Sequence, residues 1–141
     1  LKLRRFSDEE IAGFRSDLED PEFASSRVSS GNFARGRAER ALAIVAAGIT
    51  SQRVEVQVMR LGELALIAIP GEYFVEFGIE LKQRSPAAAT FVIELANGSI
   101  GYIPTRAGFE GGAYEGSSAR FDAGAGETLA AAALRILASA P

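Results

Sequence analysis

Between Leu64 and Ile69 the chain reads Leu-Ala-Leu-Ile-Ala-Ile, apolar at every position, and Pro70-Gly71 ends the run. Its length suits a strand and falls far short of the roughly 20 apolar residues of a membrane span. Successive strand residues point to opposite faces, so a strand that is apolar throughout must be covered on both. A sheet layered with helices is therefore implied. Upstream, Val54, Val56 and Val58 alternate with Glu55, Gln57 and Met59, the pattern of a half-buried strand. Leu61-Gly62-Glu63 then supplies a tight reversal into the apolar run.

The flanking segments read mostly as helices. Leu1 to Arg5 alternates and predicts a short strand, and Ser7-Asp8-Glu9-Glu10 follows as a capping box. Ile11, Phe14 and Leu18 then mark one face of a helix that stops before Pro21. Ser25 to Asn32 is polar and turn-rich and reads as a loop. A second, Ala-rich helix is predicted from Ala34 to about Gly48. Its Arg35, Arg37 and Arg40 suggest an anion site or, with Glu39 among them, simply a solvated face. Glu72 opens a helix through about Arg84, with Phe74, Val75, Phe77, Ile79 and Leu81 facing inward and Pro86 closing the unit. Thr90 to Ala96 reads as a buried strand, Asn97-Gly98 as a turn and Ile100 to Pro104 as a further short strand. The glycine-rich residues 106 to 126 suit a structured loop, and Glu127 to Ser139 a last helix. The order helices, hairpin, helix, hairpin, helix predicts an α/β fold, a mixed β-sheet flanked by helices. Residues 1–141 would form a single domain or part of a larger one.

Composition narrows the chemistry more than the fold. The 141 residues are 48% hydrophobic and 23% charged, an ordinary globular balance that excludes a disordered chain. Fifteen basic and 18 acidic residues leave a net charge of −3, no electrostatic footprint for nucleic acid. There is no His and no Cys. A Ser-His-Asp triad, an imidazole or thiolate metal site and a disulfide framework are all excluded for this chain alone. Catalytic work by these residues would fall to carboxylates, Tyr, Lys, Arg or Ser. The opening residues lack the apolar stretch of a signal peptide.

Glu72 follows the apolar strand across the Pro-Gly turn, at the strand end where α/β sheets gather ligands. A carboxylate there has two readings, a functional group favoured by the helix dipole or ordinary first-turn acid. Tyr102 lies in Gly-Tyr-Ile-Pro-Thr-Arg and Tyr114 in Gly-Gly-Ala-Tyr-Glu-Gly. A phenol in such a place donates to a developing oxyanion or binds a metal, or is a rim aromatic with its hydroxyl in water. Arg106 is either a fork for a carboxylate or phosphate or a structural loop residue. One Glu and one or two Tyr do not complete a zinc site. Any further ligands would belong to other polypeptide.

Two stretches, LGELALIAIPGEYFVEFGIELK and TFVIELANGSIGYIPTRAGFEGGAYEG, resemble the C-terminal part of the catalytic domain of the neutral/alkaline (non-lysosomal) ceramidases. The features are Pro70-Gly71-Glu72 after an apolar strand, Asn97 in a turn, Gly101-Tyr102-Ile103-Pro104-Thr105-Arg106, and Tyr114 in a glycine-rich segment. They cover about residues 54 to 138; residues 1 to 50 fit only loosely. The resemblance implies a large mixed sheet flanked by helices, and hydrolysis of the amide bond of ceramide or a related N-acyl lipid. It implies one zinc held by two His, a Glu and a Tyr. By position Glu72 and Tyr102 match the zinc-binding Glu and Tyr, and Tyr114 matches a second active-site Tyr that stabilises the tetrahedral intermediate. The family's two His lie upstream, whereas this chain has none. Two explanations stay open: a C-terminal portion of such a catalytic domain, needing its N-terminal part or a partner chain, or a zinc-free scaffold or binding module. Secretion or a periplasmic location, and peripheral contact with a membrane, are implied through the same resemblance. These residues alone are expected to hydrolyse nothing.

Overall fold

A computed structural model describes residues 1–21, 23 and 29–139. It divides into two compact units, Arg5–Ser51 and Leu1–Arg4 with Gln52–Pro141.

The smaller unit pairs helix α1 (Asp8–Glu19) with helix α2 (Ser29–Ala46). Both halves of the capping box form: the Glu10 amide donates to Ser7 Oγ at 3.1 Å, and the Ser7 amide to Glu10 Oε2 at 2.8 Å. Ile11, Phe14 and Leu18 share the half-buried face, with Phe6 edge-on to Phe14 at 5.5 Å. Helix α2 begins earlier than expected. Residues 29 to 32 of the expected loop are helical, and residues 25 to 28 lie outside the described ones. Serine and asparagine start helices as readily as they make turns, which composition does not separate. Ala38 and Ala41 are buried, while Arg35 pairs with Glu39 at 2.8 Å on an exposed face. The solvated-face reading holds there, and Arg37 lies over the Phe14 ring at 5.8 Å.

The larger unit is α/β. Strands β1 (Gln57–Leu61) and β2 (Leu64–Ala68) form an antiparallel hairpin. Its turn places Gly62 at φ +62°, a conformation that suits glycine. Two-residue strand β3 (Glu72–Tyr73) and helix α3 (Val75–Arg84) follow, and β4 (Ala89–Ile93) returns parallel to β2, Leu66 opposite Phe91. The sheet is thus mixed, in the order β1-β2-β4, with β2-α3-β4 a crossover unit. Further on come β5 (Tyr102–Ile103), the short helices α4 (Arg106–Glu110) and α5 (Tyr114–Ser118), and helix α6 (Ala125–Ser139). The segment expected as a loop over 106–126 therefore carries two helical turns. The short strand expected at Leu1 to Arg5 reduces to an antiparallel bridge, Leu3 opposite Phe121.

Helices α3 and α6 pack together and cover one sheet face, where Ala65 and Ile67 are fully buried. The other face runs through Met59, Leu61, Leu66, Phe91 and Ile93, paired across the strands by register. Of these only Leu66 is half-covered; Leu61 is 63% and Phe91 56% exposed. The expectation of burial on both faces is thus met on one face for the Leu64–Ile69 run, whereas in the Thr90–Ala96 strand no residue is buried and Thr90 and Val92, on the covered face, are half-buried. On α3, Phe77 and Leu81 face the core, whereas Val75 and Ile79 are exposed. A single covering layer gives each helix one buried stripe.

The two sheet faces predict different mutational costs. Ile67→Ala should lower unfolding free energy by about 2–5 kcal/mol, because it opens a cavity in the covered layer. Leu61→Lys should change it by less than about 0.5 kcal/mol. Urea denaturation of the two variants beside the parent chain measures both.

Candidate functional site

The site is built where the two parallel strands run on past the main sheet. From Ile69 the first continues through Pro70-Gly71 into β3. The second leaves the ladder after Ile93, with Leu95 (φ +53°) and Asn97 (φ +61°) in the left-handed region, and returns as β5. Strands β3 and β5 then pair in parallel, Glu72 opposite Tyr102 and Tyr73 opposite Ile103. The Ile100 amide donates to the Pro70 carbonyl at 2.7 Å, that of Glu72 to Gly101 at 3.0 Å, and that of Phe74 to Ile103 at 3.3 Å. Gly71 makes this approach possible: a Cβ there would lie 3.0 Å from the Gly101 oxygen and 3.0 Å from Ile100 Cγ1.

Two expectations need correcting. Asn97-Gly98 does lie in a turn, but the second pair of strands is not a hairpin, because β4 joins β2 and β5 joins β3, both in parallel. Glu72 does not open the helix either. It sits on β3, and α3 starts at Val75 with Phe74 as its cap residue. The Glu72 amide is held by the strand ladder, so the helix-dipole argument, which fades beyond the first turn, does not apply to it.

Alternation along β3 sends Glu72 to the surface and Tyr73 into the core. The Tyr73 ring stacks on Phe77 at 4.6 Å, and its hydroxyl donates to the Gly126 carbonyl at 2.8 Å. Burial pushes this phenol far above its ordinary range. Gly126 cannot carry a side chain, since a Cβ would lie 2.2 Å from the Phe77 ring. Tyr73 thus ties the strand bearing Glu72 to helix α6. Sequence reasoning passed it over, because the segment reads as a helix start and the two-residue strand that turns Tyr73 inward is set by its pairing with β5.

Glu72, Tyr102 and Tyr114 come together. Tyr102 stands opposite Glu72 across the β3–β5 pair, and its phenol's interaction with that carboxylate, followed by desolvation and neighbouring negative charge, raises its pKa. Tyr114, at the start of α5 and 52% exposed, meets the Tyr102 ring edge-on at 5.7 Å and 77°. Beside them is an open recess of about 430 Å³ whose lining includes Glu72, Glu76, Glu94, Glu115, Tyr102 and Phe74. Glu76, Glu94 and Glu115 were missed in the sequence. Glu94 directly follows β4 and accepts from the Tyr73 amide at 3.2 Å, and Glu115 follows Tyr114 directly. Arg106 is not among the lining residues. Its guanidinium lies against Gly124, where a Cβ would come within 2.8 Å, which fits the structural reading.

A carboxylate and a phenol are both oxygen donors that zinc accepts, and here they lie side by side. They fill two positions of a tetrahedral shell and leave the others open. Among the described residues no cluster of three or more His, Cys, Asp or Glu side chains suits a metal ion.

Removing the Glu72 charge should loosen the Tyr102 proton. In Glu72→Gln the ionised phenol no longer faces that carboxylate, so its pKa falls towards the ordinary value of about 10. The chain has three tyrosines, which makes a ring-carbon NMR titration readable. An unchanged Tyr102 midpoint would contradict the influence of Glu72 on this phenol. Tyr73 gives a separate test. Its phenol stays protonated in the fold while an unfolded chain ionises near pH 10, so stability falls as pH rises beyond about 10. Tyr73→Phe should flatten that decline, and should cost about 1–3 kcal/mol at neutral pH through the orphaned Gly126 carbonyl. Urea unfolding at pH 8 and near pH 10.5 measures both effects.

No protein-family description matches the chain, and no curated protein does. Among solved structures, it is similar to a ceramidase complexed with C2 and to the neutral ceramidase from Pseudomonas aeruginosa. Each alignment has 24% identity and a TM-score of 0.47, and covers 58% of this chain. The chain spans 13% and 14% of the length of those two proteins, respectively.

Proposed function

We propose that this chain is part of a zinc-dependent amidohydrolase of the neutral ceramidase type, acting on the amide bond of ceramide or a related N-acyl lipid. The observation that carries the reading is the meeting of Glu72, Tyr102 and Tyr114 at the carboxyl ends of parallel strands. These are the residues that the sequence resemblance singles out, and they are distant in the chain. In this reading Glu72 and Tyr102 supply two ligands, and the rest come from polypeptide outside these residues. Zinc, when bound, lowers the pKa of a water to about 7 and polarises a carbonyl. The chain's own part is to hold the Glu72 carboxylate on a paired strand and to keep the Tyr102 oxygen beside it. Tyr114, largely in solvent with its ring braced on Tyr102, would offer its hydroxyl to the oxyanion that forms when the amide carbonyl is attacked. A lipid substrate fits a secreted or periplasmic enzyme with peripheral membrane contact. None of the described helices is long and apolar enough to cross a membrane.

A second reading, a ceramidase-like scaffold or binding module without zinc, is favoured by the two-donor set and the absence of His. Zinc content of the full-length polypeptide, measured by elemental analysis beside Glu72→Ala and Tyr102→Phe, separates the two. One zinc per chain, reduced in Glu72→Ala, supports the enzyme. Tyr114→Phe should then lower kcat on an N-acylsphingosine by about 10²–10³ with little change in KM. Absence of zinc, with both variants folded as the parent, leaves the scaffold reading.

A further inference from the structure

Helix α5, which carries Tyr114, is five residues long, far below the length at which a helix holds itself. Its single turn is closed by the Ser117 amide to Ala113 at 2.8 Å and by the Ser117 hydroxyl to the Tyr114 carbonyl at 2.9 Å. What anchors that turn to the rest of the unit is distant in sequence. Arg4 Nη1 donates to the Gly116 carbonyl at 3.2 Å and to the Ser117 carbonyl at 3.3 Å. The same guanidinium lies over the Phe109 ring, 5.3 Å from its centroid, on the neighbouring helix α4.

The backbones of α4 and α5 meet where Arg4 grips them. A Cβ on Gly116 would lie 2.6 Å from the Gly108 oxygen and 2.9 Å from the Phe109 oxygen. Arg4 is itself held. Its amide donates to the Arg120 carbonyl at 2.9 Å, the Asp122 amide donates to Lys2 at 3.1 Å, and Leu3 and Phe121 are buried between them. A cation at the carbonyl end of a short helix also meets the negative end of its dipole.

We propose that Arg4 is a positioning residue for the site, clamping helix α5 so that the Tyr114 ring stands edge-on to Tyr102. The proposal rests on the reading above only in treating these two tyrosines as site residues. Arg4 touches neither ring. It acts on the carbonyls two and three residues beyond Tyr114, and a shift of that turn moves Tyr114 and Glu115 together. Guanidinium suits the task because one of its terminal nitrogens reaches two adjacent carbonyls while its flat face covers a ring.

Ring-carbon NMR of the chain's three tyrosines tests this without zinc or substrate. In Arg4→Met the ring-to-ring nuclear Overhauser contact between Tyr102 and Tyr114 should be lost and both ring signals should shift. The Tyr73 signal, from the core, should stay native. Arg4→Lys, keeping the cation, should restore part of the contact. Unaltered Tyr102 and Tyr114 signals in an Arg4→Met chain with native Tyr73 overturn the proposal. If Arg4→Met disturbs Tyr73, Arg4→Gln, which also lacks the cation, carries the same comparison: shifted Tyr102 and Tyr114 signals beside a native Tyr73 support the clamp, and unshifted ones overturn it. Failure to find zinc or amide hydrolysis would defeat the functional reading and leave this result standing.

Discussion

The close approach of two backbone segments at Gly71 and Gly101 is the constraint on which the site depends. A side chain at Gly71 would crowd the Gly101 carbonyl and Ile100, so the strand leaving the sheet and its neighbour would have to move apart by a few tenths of an ångström there. With glycine in place, the Pro70 carbonyl, the Glu72 amide and the Phe74 amide all find partners across the gap. Satisfying those backbone groups sets the register, and the register places Glu72 opposite Tyr102. The excursion of the second strand, with two non-glycine residues at positive φ, is tolerated because its ends are pinned on either side, at Ile69 and at Pro70.

The core reaches the site through one further contact. Tyr73 faces inward as Glu72 faces outward, and its hydroxyl takes the Gly126 carbonyl at the start of α6. Position and chemistry are thus divided between adjacent residues of one short strand. The apolar stacking on Phe77 immobilises the backbone that presents the carboxylate, which is how a surface group acquires a fixed direction. Helix α5 has no such core residue of large size. Its buried glycine packs against the backbone of α4, so it depends on Arg4 for its place.

What could be read from the residues follows from which signals are local. The capping box at Ser7 and the turn at Gly62 are short-range patterns that appear where expected, whereas of the period-two stretch from Val54 to Met59 only the part from Gln57 onward is strand. Strand partners are not local. A turn between two apolar segments looks like a hairpin, and only the folded chain shows that β4 and β5 each pair in parallel with earlier strands. The same limit misplaced Glu72. A carboxylate just before a helical pattern resembles a helix start, whereas ladder hydrogen bonds made it a strand residue. Apolarity on both faces of Leu64–Ile69 was legible, but whether a layer covers each face was not. Glu94 and Glu115 carry no motif and become visible only when the ends of β4 and α5 converge on one recess.

The electrostatics of that recess connect the two functional readings. Glu72, Glu76, Glu94 and Glu115 bring negative charge to one side of Tyr102, and Glu72 above all shifts its phenol further towards the protonated form. In that state the oxygen is a hydrogen-bond donor and a poor metal ligand. A divalent cation beside it would reverse the balance, because its charge favours the phenolate and screens the carboxylates. The direction of the Tyr102 shift is therefore not a fixed property of the fold but a reading of the net charge beside it. A scaffold without metal keeps the protonated phenol beside the carboxylates as its resting state, whereas an enzyme that binds zinc there must give up that proton in binding it. Zinc uptake through Tyr102 should consequently strengthen as pH rises, since binding releases the phenol proton, and a chain that takes up zinc with no pH dependence would be holding it by other groups.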